Sequence, residues 1–243
     1  IQKRKNKIDY RLEYNGHHIN EHLWYTQFIK PLIKKIFNKD VEVRKTNSGT
    51  VKIAFRSKLV LTFLHHSCEI TFSPKKKIKV SSIIQNSNIN IKSAFLRGIA
   101  DTDFSLVFKK NGKYPVISHG TYSKTLHESL KLLLNDLGFA YYYTIYYPKG
   151  KYEGLISYRI DINGFKGLDH WMKTVGYSSY NSISRYLGWK ESGNLPVETN
   201  ITDRIKILKE RGMKFPLQKR LGPGLNWRPI PSTKVLHGDR LTK

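Results

Sequence analysis

One order of elements occurs twice along this chain. "KIDYRLEY" sets Lys7, Asp9, Arg11 and Glu13 against Ile8, Tyr10, Leu12 and Tyr14, the period-two pattern of a half-exposed strand. After Gly16, "NGHHINEHLWYTQFIKPLIKKIF" turns to helical spacing through Leu23, Phe28, Leu32, Ile33 and Ile36, with Pro31 expected to start or kink the helix. "VEVRKTNSGTVKIAFRS" predicts two short strands about Asn47, Ser48 and Gly49, and a short helix runs from Lys58 to His66. Downstream the series repeats: a strand over 106–118, Gly120 in the place of Gly16, a helix "SKTLHESLKLLLNDLGF", strands "AYYYTIYYP" and "LISYRIDING" about Lys149 to Glu153, and a helix "GLDHWMKTVG". Such a duplication restricts the chain to an α+β fold in which two units lay their strands down as antiparallel sheets, with a saddle as the natural product.

The predicted organisation is a first unit over 1–88, a second over 89–213 and a basic, Pro- and Gly-rich arm over 214–243 that carries Trp227. The second unit is preceded by "SAFLRGIADTDFSL". Aligning Leu106 or Val107 with Ile1 puts the first unit's own version upstream of the sequence, which opens on Ile1 rather than methionine.

Lys+Arg number 43 against 18 Asp+Glu, a formal net charge of +25. That excess calls for a polyanionic partner, nucleic acid first, since a thermophile's charged surface mixes both signs. Cys68 is the single cysteine, so an internal disulfide and a thiol-built zinc site are excluded and a reducing, intracellular, cytoplasmic setting is expected. No apolar run approaches the ~20 residues that span a bilayer, and no signal-peptide pattern opens the sequence.

Within "LRGIADTDFSL", Leu96, Gly98, Asp101, Asp103 and Ser105 fall in the positions of the motif that names the LAGLIDADG homing endonucleases, with Ile99, Ala100 and Thr102 between them. The chain resembles that family over nearly its whole length, the ending "VGYSSYNSISRYLGWKES…ITDRIKILKERG" being similar to that of stand-alone archaeal members. The resemblance implies two αββαββα units forming a DNA-binding saddle, Mg²⁺-dependent cleavage of a specific duplex, Asp103 as metal ligand and catalytic acid, and Asp101 as a supporting or capping residue. Gly98, lacking a side chain, lets two such helices pack closely. A carboxylate at a helix C-terminus is electrostatically disfavoured, and a bound cation compensates for it.

Two departures stand out. Phe104 occupies the place of the motif's second glycine, so the turn after Asp103 has to avoid a left-handed conformation. Where related chains carry a basic run such as Asn-Pro-Lys-His, this one reads Ser179, Tyr180, Asn181 and Ser182; Lys75, Lys76 and Lys77 lie in the first unit's stretch without a firm alignment. Loss of that cation weakens transition-state stabilisation.

Candidate DNA contacts are Lys7, Arg11, Arg44, Lys52 and Arg56 in the first unit and Lys109, Lys113, Lys149, Lys151 and Arg159 in the second. Alternation in "YYYTIYY" sends Tyr141, Tyr143, Ile145 and Tyr147 to one face and Tyr142, Thr144 and Tyr146 to the other, one set for the core and one free to touch sugar or base. "HINEH" spells a zinc-peptidase pattern but reads better as a polar helix start without a third ligand, and His65, His66 and Cys68 read as surface or packing residues. The competing functions are a DNA-binding protein of the same fold that has lost catalysis, and an RNA-binding maturase acting on intron RNA. A pseudo-two-fold monomer is expected if the upstream motif exists, and a homodimer joined through Gly98 helices otherwise.

Overall fold

The computed structural model describes residues 2–4, 7–70, 78–195 and 199–213, with the backbone alone for 2–4, 7 and 8. Strands β1 (Gln2–Arg4) and β2 (Lys7–Asp9) pair as a small hairpin. β3 (Arg11–His17) pairs antiparallel with β5 (Thr50–Arg56), which holds β4 (Arg44–Lys45) on its other side. Leu12, Tyr14 and Gly16 face Phe55, Ile53 and Val51 in register. This apolar face is covered by α1 (His18–Trp24), a π-helical turn (Tyr25–Ile29) and α2 (Lys30–Phe37), whose Trp24, Tyr25, Phe28 and Ile33 complete the core. Proline lacks an N–H and crowds the carbonyl four residues back. The helix widens to five-residue bonding, Lys30 N–H to Tyr25 O, immediately before Pro31 and so runs on through it. Ser57 then caps α3 (Lys58–His66) by accepting the N–H of Val60.

After α4 (Ser82–Gln85), the second half runs α5 (Ile89–Asp103), β6 (Phe104–Phe108), a turn α6 (Lys109–Gly112), β7 (Tyr114–Thr121), α7 (Lys124–Asp136), β8 (Tyr142–Tyr146), β9 (Ser157–Asn163), α8 (Gly164–Thr174), α9 (Tyr180–Ser192) and α10 (Ile201–Glu210). From α5 to α8 this is the order αββαββα, and its antiparallel sheet is ordered β6-β7-β9-β8. Phe104, Leu106 and Phe108 share a face with Ile117, Ile160 and Ile162, against Leu130, Leu133 and Leu134 of α7 and Leu168, Trp171 and Met172 of α8. Each such side chain withdrawn from water contributes about 1.5–3 kcal/mol. The halves meet where α1 packs on α9 and α10. Tyr180 lies against both cores, its hydroxyl donating to Gln27 Oε1 at 3.3 Å.

Two expectations are corrected. The strand expected over 106–118 is a hairpin, broken where Lys110, Asn111 and Gly112 take positive φ of 52, 55 and 83. The equivalence of Gly16 and Gly120 is off by a residue in phase. Gly16 lies opposite Val51 on the helix-covered face, whereas Gly120 lies opposite Arg159 on the open one, and an odd shift moves a strand residue to the other face.

Candidate acidic centre and nucleic-acid interface

Helix α5 is fixed along one side and bare along the other. Asn88 caps its start by accepting the N–H of Ile91 at 3.1 Å. On the packed side Leu96 and Ala100 enter the core, Ser93 Oγ donates to Thr174 O, and Arg97 Nε donates to Val175 O at 2.5 Å. Asp101 ends that side. Its carboxylate accepts the backbone N–H of Ser178 at 2.9 Å and of Ser179 at 2.8 Å, and the Ser178 hydroxyl as well. These N–H groups belong to the start of α9, where a carboxylate meets the positive end of the helix dipole. Burial pushes the Asp101 carboxyl up to about 6, against the pull of those hydrogen bonds. On the other side Gly98 is exposed, and a Cβ there would meet nothing within 4 Å. The contact expected between Gly98 and a twin helix is therefore not formed among the described residues.

Asp103 is the last residue of α5 and is exposed, its Oδ2 accepting the Thr102 hydroxyl at 2.9 Å. Phe104 follows with φ −93 and ψ 148, so the chain enters β6 without the left-handed step a glycine would serve. Its ring is buried on His119 and Trp171 at 4.7 and 5.5 Å. Burial pushes His119 down to about 4, neutral at physiological pH. Phe104 pairs with His119 in the sheet, and extending that register back one residue places Asp103 beside Gly120, whose partner Arg159 in turn pairs with Thr144. Gly120, Arg159 and Thr144 belong to the face the helices leave open.

The basic candidates of the first half share such a face. Arg11 is opposite Arg56, and Arg44 is opposite Lys52, all facing away from Tyr14 and Ile53. Glu13 holds Arg11 at 2.5 Å and Lys52 at 3.0 Å, Asp9 holds Arg56 at 2.8 Å, and Glu42 holds Arg44 at 2.9 Å. Exposed pairs of this kind contribute about 0–1 kcal/mol, so a phosphate readily displaces the carboxylate. Lys7 lies on β2 with its side chain outside the described residues. In the second half, exposed Lys109 and Lys113 flank the α6 turn, while exposed Lys149 and Lys151 lie in the β8–β9 connection. Arg159 bonds through Nε to Asp161 at 2.9 Å. The tyrosine phase resolves as well: Tyr142, Thr144 and Tyr146 lie across from Asp161, Arg159 and Ser157 on the open face. Tyr143 and Ile145 share the face of Ile160 and Tyr158 yet stay 57% and 47% exposed at the sheet edge.

Ser179 to Ser182 bring no cation, as the sequence indicated; they form the start of α9. A residue the motif reading passed over anchors this region. Arg204 is 1% exposed, donates to Ser184 Oγ at 3.0 Å and to Thr199 O and Asn181 Oδ1, and is pushed down by burial to about 9, with Arg185 adding repulsion. Its signal was its spacing, since Ile201, Arg204 and Leu208 form one inward stripe of α10. "HINEH" is a capping device: His17 Nδ1 accepts the Asn20 N–H at 3.3 Å while Glu21 reaches back to the His17 N–H at 2.5 Å. His65 bonds to Ile70 O at 3.0 Å, and Lys75, Lys76, Lys77 and the arm from 214 lie outside the described residues. Among the described residues no group of three or more His, Cys, Asp or Glu side chains is placed to hold a metal, and no helix is long and apolar enough to cross a membrane. Asp103 offers one exposed carboxylate, which suits a hard cation that takes one or two carboxylates and fills its shell with water and substrate oxygens.

The sequence matches no protein-family model and no curated protein. Solved structures do match. Mesophilic variants of the homing endonuclease I-DmoI superpose with a TM-score of 0.51 at 16% identity, over 72% of this chain and 80% of theirs. The fold is that of the LAGLIDADG homing endonucleases. A doubly substituted I-DmoI in complex with its target DNA, nicked in the coding strand and with manganese present, gives a TM-score of 0.50 at 16% identity over 72% of this chain and 85% of that one. In this chain α5 carries the stretch "LRGIADTD" and ends at Asp103.

Proposed function

We propose that the chain is a site-specific, duplex-DNA-binding endonuclease of the stand-alone archaeal type, cutting with Mg²⁺. The observation that carries this reading is the placement of Asp103: exposed at the end of a motif helix pinned by Asp101, and continuing the row of Gly120 and Arg159 on the open face of the sheet. A duplex lies across the open faces, with Lys109, Lys113, Lys149 and Lys151 on phosphates, Arg11, Arg44, Lys52 and Arg56 toward the groove, and Arg159 in the row of Asp103. Asp103 would supply a carboxylate ligand to a divalent cation. When bound, that cation neutralises phosphate charge and lowers the pKa of water. The first unit spans 1–88 and the second 89–213, followed by the basic segment over 214–243. The bare flank at Gly98 receives a second motif helix, from upstream of the first unit in a pseudo-two-fold monomer or from another copy in a homodimer.

A protein of this fold that binds without cutting is the second reading, and the absence of a cation among Ser179, Tyr180, Asn181 and Ser182 favours it. Selection from a randomised duplex library, with and without Mg²⁺, separates the two. Staggered cutting that Asp103→Asn abolishes while binding persists supports the endonuclease. Tight binding with no cutting supports the second reading, and preference for intron RNA over any duplex overturns both in favour of a maturase.

A further inference from the structure

We infer that Arg159 contacts the scissile phosphate across a gap kept open by Gly120, supplying the positive charge that phosphoryl transfer requires. The inference rests on the endonuclease reading above. Hydrolysis of a phosphodiester joins a water oxygen to phosphorus as one ester P–O bond breaks, its electron pair leaving on the sugar oxygen, which takes up a proton in place of the one water gives away. Charge accumulates on the non-bridging oxygens during that exchange, and a preorganised cation stabilises it. A divalent cation on Asp103 would face the phosphate from one side, and a cationic side chain within a phosphate's width of Asp103 adds stabilisation from the other.

Register identifies which one. Asp103 immediately precedes Phe104, which pairs with His119, and the next row contains Gly120, Arg159 and Thr144. Neighbouring strands lie about 4.8 Å apart, so β6 and β9 are separated by roughly 10 Å, room for a phosphate between an acid and a long cationic side chain. Gly120 is the sole residue between them. A Cβ there would meet nothing within 4 Å, and its φ lies outside the left-handed region, so neither packing nor backbone conformation demands glycine. What the missing side chain leaves is a clear line from Asp103 to Arg159. Arg159 bonds to Asp161 through Nε, and among the described residues its terminal Nη groups make no hydrogen bond. Those are the atoms that bind a phosphate bidentately.

Arg159→Ala, Arg159→Lys and Gly120→Leu test this on a duplex selected by the wild-type chain. In metal-free buffer, Arg159→Ala should lower the slope of log affinity against log salt by about 0.9, the signature of one lost phosphate contact. A neutral methylphosphonate at the cut linkage should weaken the wild type and leave Arg159→Ala unaffected. With Mg²⁺, cleavage should fall about 10²–10³-fold in Arg159→Ala, recover in part with added guanidinium, and fall in Gly120→Leu at an unchanged melting temperature. An unchanged slope and full cleavage in Arg159→Ala would overturn the assignment. A wild type that binds but never cuts defeats the endonuclease reading instead, while the slope and the methylphosphonate still decide whether Arg159 meets that phosphate.

Discussion

The carboxylate of Asp101 lies 2.8 Å from the backbone nitrogen of Ser179, joining the end of the motif helix to the start of α9. The residues bonded are 78 positions apart, and the bond forms where Tyr180 touches both hydrophobic cores. The acid two places on, Asp103, ends the helix exposed, in line with β6.

Removing that joint should be felt throughout the molecule. Asp101→Ala leaves the N–H groups of Ser178 and Ser179 without their acceptor in a buried setting, a loss of about 1–3 kcal/mol. Asp103→Ala, at an exposed position, should stay within about 0.5 kcal/mol of the parent. Urea unfolding of the two variants checks this, and equal losses would show that Asp101 does not carry the joint.

Two glycines should answer substitution in opposite ways. A Cβ at Gly16 would lie 2.5 Å from Glu21 Oε2 and 2.9 Å from the Tyr25 ring, so Gly16→Ala should cost about 1–3 kcal/mol. Gly98→Ala meets nothing within 4 Å and gains helix propensity of up to ~1 kcal/mol, raising the melting temperature by roughly 2–4 °C. If a second motif helix docks on that flank, the same methyl group lowers duplex cutting. Melting curves and cleavage assays on one preparation report both effects.

Duplex affinity should be steeply dependent on salt. A surface that neutralises about 6–10 phosphates loses roughly 10³–10⁵ in affinity between about 50 and 200 mM salt. Titrations across that range check it, and a flat response would contradict binding through the basic open faces.

Acid should loosen the attachment of Glu69 to the start of α4 before it unfolds either core. Hydrogen bonds from Ser82 and Lys79 hold the Glu69 carboxyl down at about 2, from an ordinary value of 4.5. A folded-state pKa below the unfolded one means stability that is complete above about pH 4.5 and lost as pH falls toward 2. Amide exchange at Ser82 should rise over that window in the wild type, and Glu69→Gln should show the fast rate at every pH.

Elements were legible wherever one local signal governed them. Alternation in "KIDYRLEY" and "LISYRIDING" gave strands, the first interrupted at Tyr10 between β2 and β3, whereas the caps at Ser57, Asn88, Ser123 and Asn200 emerge from the structure. The missed break in 106–118 also had a local signal, Asn111-Gly112, a dipeptide suited to positive φ. Phase was harder. Pairing Gly16 with Gly120 by residue type shifted one copy by an odd step, and only the cross-strand register, a contact between distant residues, exposes the slip. At the site, the motif pointed to Asp101 and Asp103, and the structure buries the first against Ser178 and Ser179 and exposes the second. The row joining Asp103 to Arg159 was not readable from the motif, because it depends on β7 lying between β6 and β9, an order the sequence does not spell.

Seen along its axis, α5 is bolted by Ser93, Arg97 and Asp101 on one flank and left smooth at Ala94, Gly98 and Thr102 on the other. Grafting a foreign half onto this chain would therefore require matching a smooth plane and disturbing none of the bolts. The surface offered to a partner helix and the anchoring of α5 to its own core become separable engineering problems.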